Sequence, residues 1–152
     1  MDIRPTRHGD IPALRKVLDG TALFPSEMLP DMMQAFLSGD DAQVWLTCDA
    51  GAGPVGFCYA AAETLAEGTW NMLAIAVRPD MQGRGCGGAI VRHLEALLEA
   101  RRARILIAET SGTAAYARTR AFYDANGYAE EARIRDFWAA GEDKVVFRKA
   151  LS

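Results

Sequence analysis

The stretch RPDMQGRGCGGAIVRH, residues 78–93, places four glycines among the seven residues Gln82–Gly88. Glycine loses more conformational freedom on folding than any other residue, so this clustering costs stability. What it provides is a row of backbone N–H groups with no Cβ in front of them, directly before a predicted helix. Such amides, together with the positive end of the helix dipole, bind phosphate groups. The sequence therefore predicts a phosphate-binding loop that opens a helix.

Hydrophobic periodicity on both sides of this loop predicts a single α/β domain over residues 1–152. Half of the 152 residues are hydrophobic, which is enough for one sizeable core. Strands are predicted at Asp2–Thr6, Gln43–Cys48, Val55–Thr64, Thr69–Val77, Arg104–Glu109, Tyr128–Arg135 and Lys144–Arg148, and helices at Asp10–Leu18 with Asp10 as N-cap, Glu27–Leu37, from the loop to about Ala100, and Ala114–Ala125. The order β-α-α-β-β-β-α-β-α-β-β puts the glycine loop inside a central β-α-β unit.

Three kinds of phosphate-binding loop compete for this stretch. A Walker A loop is excluded because no Gly-Lys-Ser/Thr occurs in the chain. Gly83, Gly85 and Gly88 satisfy the dinucleotide-binding pattern Gly-x-Gly-x-x-Gly, and Glu109 ends a later strand where a ribose-binding acid would lie. That pattern begins directly after its strand, however, whereas residues 78–82 intervene here. The 43 residues from 110 to 152 are also too few for the remaining parallel strands of such a domain.

The third kind of loop fits the whole stretch. LAIAVRPDMQGRGCGGAIVRHLEALL, residues 73–98, resembles the acyl-CoA-binding motif of the GNAT superfamily of N-acyltransferases. Its signature Gln/Arg-x-x-Gly-x-Gly/Ala is matched at Gln82, Gly85 and Gly87, and the strand before it ends in the family's Val-x-Pro. A second family motif is matched by Phe122-Tyr123 and the following Asn-Gly-Tyr. The resemblance implies a GNAT-like α/β fold, with a mixed, mostly antiparallel sheet flanked by helices, and acetyl-CoA as cosubstrate.

The resemblance also assigns the residues that contact the cofactor. The loop amides would bind the pyrophosphate of coenzyme A, and Gly85 and Gly87 would let the backbone approach the phosphates closely. The backbone of the preceding strand would bind pantetheine as an added strand does, and would stabilise the oxyanion. The cofactor-binding residues implied in this way are Ile75, Ala76, Val77, Gln82, Gly83, Arg84, Gly85, Cys86, Gly87 and Gly88.

In this family an amine attacks the thioester directly, so the reaction needs a neutral amine and a proton for the departing thiolate. Tyr123 matches the family's proton donor, the alternative being a role in aromatic packing. Glu109 is the predicted general base because it ends the strand after the glycine helix, near the cleft where two strands part. Glu63 and a water chain are alternatives for this base.

The charge distribution bears on the acceptor. Residues 17–77 contain eight acids and no Lys or Arg, whereas the rest of the chain carries all 17 basic residues. Either this segment receives a cation or the acids are ordinary solvated surface. Since the family places the acceptor against this region, Glu27, Glu63 and Trp70 are predicted to bind it. We expect a primary amine, most simply a small cationic molecule; a protein N-terminus or lysine, and a non-catalytic acyl-CoA sensor, are the alternatives.

Composition limits the other partners. The net charge of −3 and the lack of a basic aromatic stripe argue against nucleic acid. No apolar run approaches the roughly 20 residues that span a bilayer, and the charged N-terminus does not resemble a secretory signal. Cys48, Cys58 and Cys86 lack metal-ligand spacing, so we expect no metal site and free thiols in a reducing cytoplasm. Whether the chain forms a homodimer stays open.

Overall fold

The computed structural model describes residues 1–151, whose elements follow the predicted order. The strands are β1 (Asp2–Pro5), β2 (Gln43–Asp49), β3 (Pro54–Ala62), β4 (Thr69–Val77), β5 (Ile105–Ser111), β6 (Ala129–Ala139) and β7 (Glu142–Ala150), and the helices are α1 (Ile11–Thr21), α2 (Leu29–Leu37), α3 (Cys86–Ala100) and α4 (Ala117–Ala125). The longest helix, α3, has 15 residues, and no helix in the described part of the chain is both long and apolar enough to cross a membrane.

The start of α2 differs from the prediction. The structure has a 3₁₀ turn at Ser26–Met28, and the α-helix begins only at Leu29. Pro30 explains the shift, because proline lacks an N–H group and is accommodated only in the first turn of an α-helix.

The seven strands form one sheet in the order β1-β2-β3-β4-β5-β7-β6. Only β4 and β5 are parallel, and the other neighbours are antiparallel, which confirms the predicted mixed, mostly antiparallel sheet. The parallel pairing covers Thr69–Met72 against Ile105–Ala108, after which the two strands part. At this point β4 also bulges, since Met72 and Ala74 pair with consecutive residues of β3 and leave Leu73 over. Beyond Met72, the edge of β4 that faces β5 is therefore unpaired with that strand.

Two apolar clusters cover the two faces of the sheet. One cluster contains the buried stripe of α3, namely Ile90, Val91, Leu94 and Leu98. The other contains the buried residues of α1 and α2, namely Leu14, Val17, Leu18, Leu29 and Met33. Neighbouring residues of β2 belong to different clusters, as strand alternation requires: Leu46 packs with α3 and Trp45 with α1 and α2.

A polar network ties β1 to the start of α1. The buried Asp10 carboxylate accepts hydrogen bonds from Arg4 Nη1 at 2.7 Å, from Arg4 Nη2 at 2.9 Å and from the Arg7 amide at 2.8 Å. Asp10 was predicted to cap α1, but its side chain bonds instead to the residue before the preceding 3₁₀ turn. Burial alone would raise the pKa of Asp10, but the Arg4 and Arg7 hydrogen bonds outweigh it and the pKa lies below its ordinary value.

We expect Asp10→Asn to lower the free energy of unfolding by roughly 3 kcal/mol at pH 7. The substitution removes the carboxylate that bonds to both Arg4 nitrogens and leaves the guanidinium only the more distant Asp49 carboxylate, at 3.7 Å. The pKa of Asp10 is lower in the folded state than its ordinary value of 3.8. Its stabilisation is therefore complete above pH 3.8 and is lost as the pH falls below 3.8 through the folded-state pKa. Urea unfolding at pH 7 and pH 3 measures both effects, with Asp19→Asn on the exposed side of α1 as control. Equal stability of Asp10→Asn and wild type at pH 7 would contradict the prediction.

Candidate active site

A cavity of about 730 Å³ opens where β4 diverges from β5. Its walls come from the end of α1, from β4, from the glycine loop with the start of α3, and from the region of α4. Nine of the ten predicted cofactor contacts line it: Ile75, Ala76, Val77, Gln82, Gly83, Gly85, Cys86, Gly87 and Gly88. Arg84 is the exception, since it is exposed and lies outside the lining.

The glycine loop presents the start of α3 to this cavity. Gly83 and Gly85 have φ of +76° and +86°, a left-handed backbone that side chains disfavour. The first turn of α3 has neither a side-chain cap nor an acidic residue, so its free amides are available to an anion. Gly87 is constrained for a further reason, because a Cβ there would lie 3.0 Å from the Phe122 ring. The packing of α3 against α4 thus favours glycine at position 87, in addition to the close approach of a phosphate that the sequence predicts there.

The charged and amide side chains near the loop divide into two groups. Gln82 Nε2 donates to the Val77 carbonyl at 2.9 Å, which fastens the loop to the end of β4. Arg78 is paired with Asp80 at 2.6 Å. By contrast, Arg118 of α4 lines the cavity and is a phosphate-binding candidate that sequence reasoning missed. Its signal was a basic residue one turn before the aromatic pair of the second motif.

The unpaired edge of β4 forms the inner wall of the cavity. Ile75, Ala76 and Val77 pair with β3 on one side, while the ladder to β5 has already ended at Met72. An extended ligand with amide groups is able to hydrogen-bond along such an edge as an added strand does.

Tyr123 is 3% exposed and packs in an aromatic group next to the cavity. Its ring centroid is 5.5 Å from that of Phe122, 5.8 Å from that of Tyr128 and 5.3 Å from that of Phe147. Of this group, Phe122 lines the cavity and Tyr123 does not. Burial, with a smaller contribution from the nearby Cys58 thiol, raises the pKa of Tyr123, so the phenol stays protonated at neutral pH.

A second group of polar side chains, which we call the Asn71 cluster, lies where β4 and β5 part. It consists of Glu63, Asn71, Glu109 and Lys144. Asn71 Nδ2 donates to Glu63 Oε1 at 3.0 Å and to Glu109 Oε1 at 2.9 Å. Lys144 of β7 forms an ion pair with the other oxygen of Glu109. The structure thus joins two acids that the sequence predicted for separate roles.

Asn71 and Lys144 were not found from the sequence. Asn71 is 4% exposed and is the single polar residue of the run WNMLAIAV within β4, and that was the available signal. Its Oδ1 is buried and has no hydrogen-bond partner within residues 1–151. Lys144 gave no comparable signal, because its contact with Glu109 depends on the pairing of β7 with β5.

Two predicted acceptor contacts lie elsewhere. Trp70 is buried in the cluster that packs on α3, with the Arg101 guanidinium 5.7 Å from its ring centroid. Strand alternation turns Trp70 away from Asn71 and into the core, so the structure does not bring it to the Asn71 cluster and its contact with the acceptor stays a prediction. Glu27 is exposed in the 3₁₀ turn before α2 and lines neither the cavity nor the Asn71 cluster.

Known proteins share this architecture. A sequence profile of the acetyltransferase (GNAT) domain matches residues 40–130. A solved structure from Desulfovibrio desulfuricans, assigned to the GNAT family, is 26% identical and superposes over 99% of both chains with a TM-score of 0.92. No curated protein matches the sequence.

Two further solved structures share the fold at lower identity. The ribosomal-protein-S18-alanine N-acetyltransferase of Escherichia coli is 20% identical over 99% of this chain and 94% of its own, with a TM-score of 0.81. An aminoglycoside 6'-N-acetyltransferase in complex with coenzyme A is 16% identical over 100% of this chain and 98% of its own, with a TM-score of 0.78. These two enzymes are named for different acceptors, so the shared fold does not identify an acceptor.

Proposed function

Since this chain belongs to the GNAT family of acetyltransferases, we propose that it transfers the acetyl group of acetyl-CoA to a primary amine of a small cationic molecule. Acetyl-CoA is the cosubstrate of GNAT acetyltransferases, and one structural neighbour contains coenzyme A. We further propose that residues 1–152 act as a single N-acetyltransferase domain.

Different walls of the cavity suit different parts of acetyl-CoA. The pyrophosphate accepts hydrogen bonds from the amides of Gly83 and residues 85–88, and Arg118 adds positive charge. The pantetheine arm pairs with the unpaired edge of β4 along Ile75–Val77. The thioester then lies toward the point where β4 and β5 part, which is where the Asn71 cluster is.

The proposed reaction uses one base and one acid. The acceptor ammonium passes a proton to Glu109, and the amine nitrogen attacks the thioester carbonyl carbon. A backbone amide of β4 stabilises the resulting oxyanion. As the C–S bond breaks, Tyr123 gives a proton to the thiolate and regains one from the attacking nitrogen, which thereby becomes the amide nitrogen. Glu109 releases its proton to solvent, so the products are the N-acetylated amine, coenzyme A and one proton.

The observation that supports a cationic acceptor is that the side-chain amide of Asn71 donates hydrogen bonds to both Glu63 and Glu109. Both hydrogens of that amide are used, and the one cation of the cluster, Lys144, bonds to Glu109. The cluster therefore has two negative charges, one positive charge and an unpartnered Asn71 Oδ1. An ammonium group supplies both the missing charge and the missing hydrogen-bond donors.

A thiol-release assay with acetyl-CoA tests this function. The amines are a triamine, an aminoglycoside, lysine, glutamate and a peptide with a free N-terminus, each assayed at low and high salt. We expect the highest kcat/KM for a small polycation, with a decline at high salt. Release with none of them despite tight acetyl-CoA binding would indicate a sensor, and a preference for the peptide would indicate a protein acceptor.

We expect Glu63→Gln to raise KM for the cationic amine about fivefold at low salt, which corresponds to about 1 kcal/mol. KM for acetyl-CoA should not change, because Glu63 lies outside the cofactor cavity. Glu99→Gln, at an exposed position on α3, removes the same charge as a control. Glu27→Gln should have a smaller effect, since Glu27 is outside the Asn71 cluster. An unchanged amine KM in Glu63→Gln would mean that this acid does not bind the acceptor.

A further inference from the structure

The ammonium group of Lys144 occupies a site built by two other strands. Its Nζ is paired with the Glu109 carboxylate of β5 and lies 4.4 Å from the ring centroid of Phe137 in β6. The Lys144 side chain is 19% exposed, whereas Phe137 is 49% exposed and covers it from the solvent side. An aromatic face opposite a carboxylate is the combination that binds ammonium ions.

An irregular segment of β6 places Phe137 over this site. After a first irregularity between Glu130 and Ala132, the ladder to β7 runs to Ile134 opposite Lys144 and resumes only at Ala139. Within this interruption Asp136 has a φ of +55°, which is unfavourable for a residue with a side chain. Two hydrogen bonds hold it: the Asp136 amide donates to Asp143 Oδ1 at 3.1 Å, and the Gly141 amide donates to Asp136 Oδ1 at 2.8 Å.

Among its own side chains, the Asn71 cluster has more hydrogen-bond acceptors than donors. Glu63, Glu109 and Asn71 Oδ1 provide five acceptor oxygens, and Asn71 Oδ1 is buried without a partner within residues 1–151. The donors are the amide of Asn71 and the ammonium of Lys144. Glu63 bonds to the amide alone, so a second cation is the complement of this cluster.

From this arrangement we infer that the space between Glu109 and the Phe137 ring is the ammonium subsite of the acceptor, which Lys144 fills in the free protein. The inference rests on the proposed function and narrows its substrate class to amines with at least two positive charges. A monoamine that displaces Lys144 exchanges one ammonium group for another at Glu109, so it gains little binding free energy. A diamine or polyamine also places a second ammonium against Glu63, and that contact is the net gain.

Lys144 is therefore an internal competitor at this subsite, and only the second contact of a diamine, with Glu63, offsets its displacement. Removing Lys144 should strengthen the binding of both amines by similar factors, because each amine has to displace it. If Lys144 served only to orient Glu109, its removal would lower kcat and leave both affinities unchanged.

Binding without acetyl-CoA tests the inference separately from catalysis. Trp138 is 48% exposed with its ring centroid 5.2 Å from that of Phe137, while Trp45 and Trp70 are buried, so tryptophan emission reports on this site. The probes are n-butylamine and 1,4-diaminobutane. In wild type we expect the diamine to bind roughly tenfold more tightly, and Lys144→Met to lower the Kd of butylamine roughly tenfold.

Three variants complete the experiment. Lys144→Arg keeps the charge, so butylamine should still bind weakly. Phe137→Leu should weaken the binding of both amines. Lys16→Met removes an exposed charge on α1 and serves as the control. If a thermal melt shows that Lys144→Met is not folded, Lys144→Gln is used in its place. An unchanged or higher butylamine Kd in the folded Lys144 variant overturns the inference. Absence of acetyl transfer to any amine would instead contradict the proposed function and leave these binding results intact.

Discussion

Tyr123→Phe should lower kcat by roughly ten- to a thousand-fold while leaving the affinity for acetyl-CoA essentially unchanged. The substitution removes only a hydroxyl group, and the remaining ring keeps its packing against Phe122, Tyr128 and Phe147. Because burial raises the pKa of Tyr123, the wild-type phenol carries its proton at every pH where the reaction is assayed. What the variant loses is the proton for the departing thiolate.

Single-turnover thiol release and calorimetry with acetyl-CoA measure the two quantities separately. Tyr128→Phe is a matched control in the same aromatic group, since its hydroxyl donates to Glu95 at 2.7 Å. That variant should lose about 1 kcal/mol of stability and keep its kcat. If Tyr123→Phe turned over at the wild-type rate with chemistry rate-limiting, Tyr123 would be a packing residue only.

Gly85→Val should weaken binding of coenzyme A roughly a hundredfold, which corresponds to about 2.7 kcal/mol. Gly85 has a φ of +86°, and valine is strongly disfavoured there, so the loop has to abandon the conformation that presents the amides of α3. An added Cβ would meet no protein atom within 4 Å, so the effect is not a clash within the chain.

Gly39→Val separates this effect from a general loss of stability. Gly39 follows α2 with a φ of +99° and likewise has no atom within 4 Å of an added Cβ, but it lies outside the cofactor cavity. Both variants should unfold at lower temperature, and only Gly85→Val should lose affinity in calorimetry with coenzyme A. A folded Gly85→Val protein with wild-type affinity would show that the loop does not bind the cofactor.

What the sequence predicted well depends on local pattern. The stripe of α3 and the buried face of α1 repeat at helical spacing, and the glycine motif is contiguous, so each is visible without knowing the tertiary structure. The link between Glu63 and Glu109 through Asn71 depends instead on the order of the strands and on the registers that pair β4 with β3 and β5. Neither feature leaves a mark in the composition of β3, β4 or β5.

The residues that sequence reasoning misplaced or missed illustrate the same limit. Trp70 and Asn71 are adjacent, and only the register of β4 decides that the first faces α3 and the second faces Glu109. Phe137 reaches Lys144 because Asp136 adopts a left-handed backbone where the sequence offers no glycine. Such a conformation is stabilised by its hydrogen-bond partners and is not encoded by local propensity.

The short parallel ladder between β4 and β5 has a consequence for the lifetime of the protein. Within the sheet, only four residue pairs join β1–β4 to β5–β7. The cavity beyond them is lined by β4 on one side and by the region of α4, which follows β5, on the other, so a ligand there contacts both parts of the chain. At a hundred times its Kd such a ligand adds about 2.7 kcal/mol of stability. Coenzyme A keeps the pyrophosphate and pantetheine after the acetyl group has left, so product protects the fold as substrate does. Resistance of this protein to degradation should thus follow the total pool of coenzyme A and not its degree of acetylation.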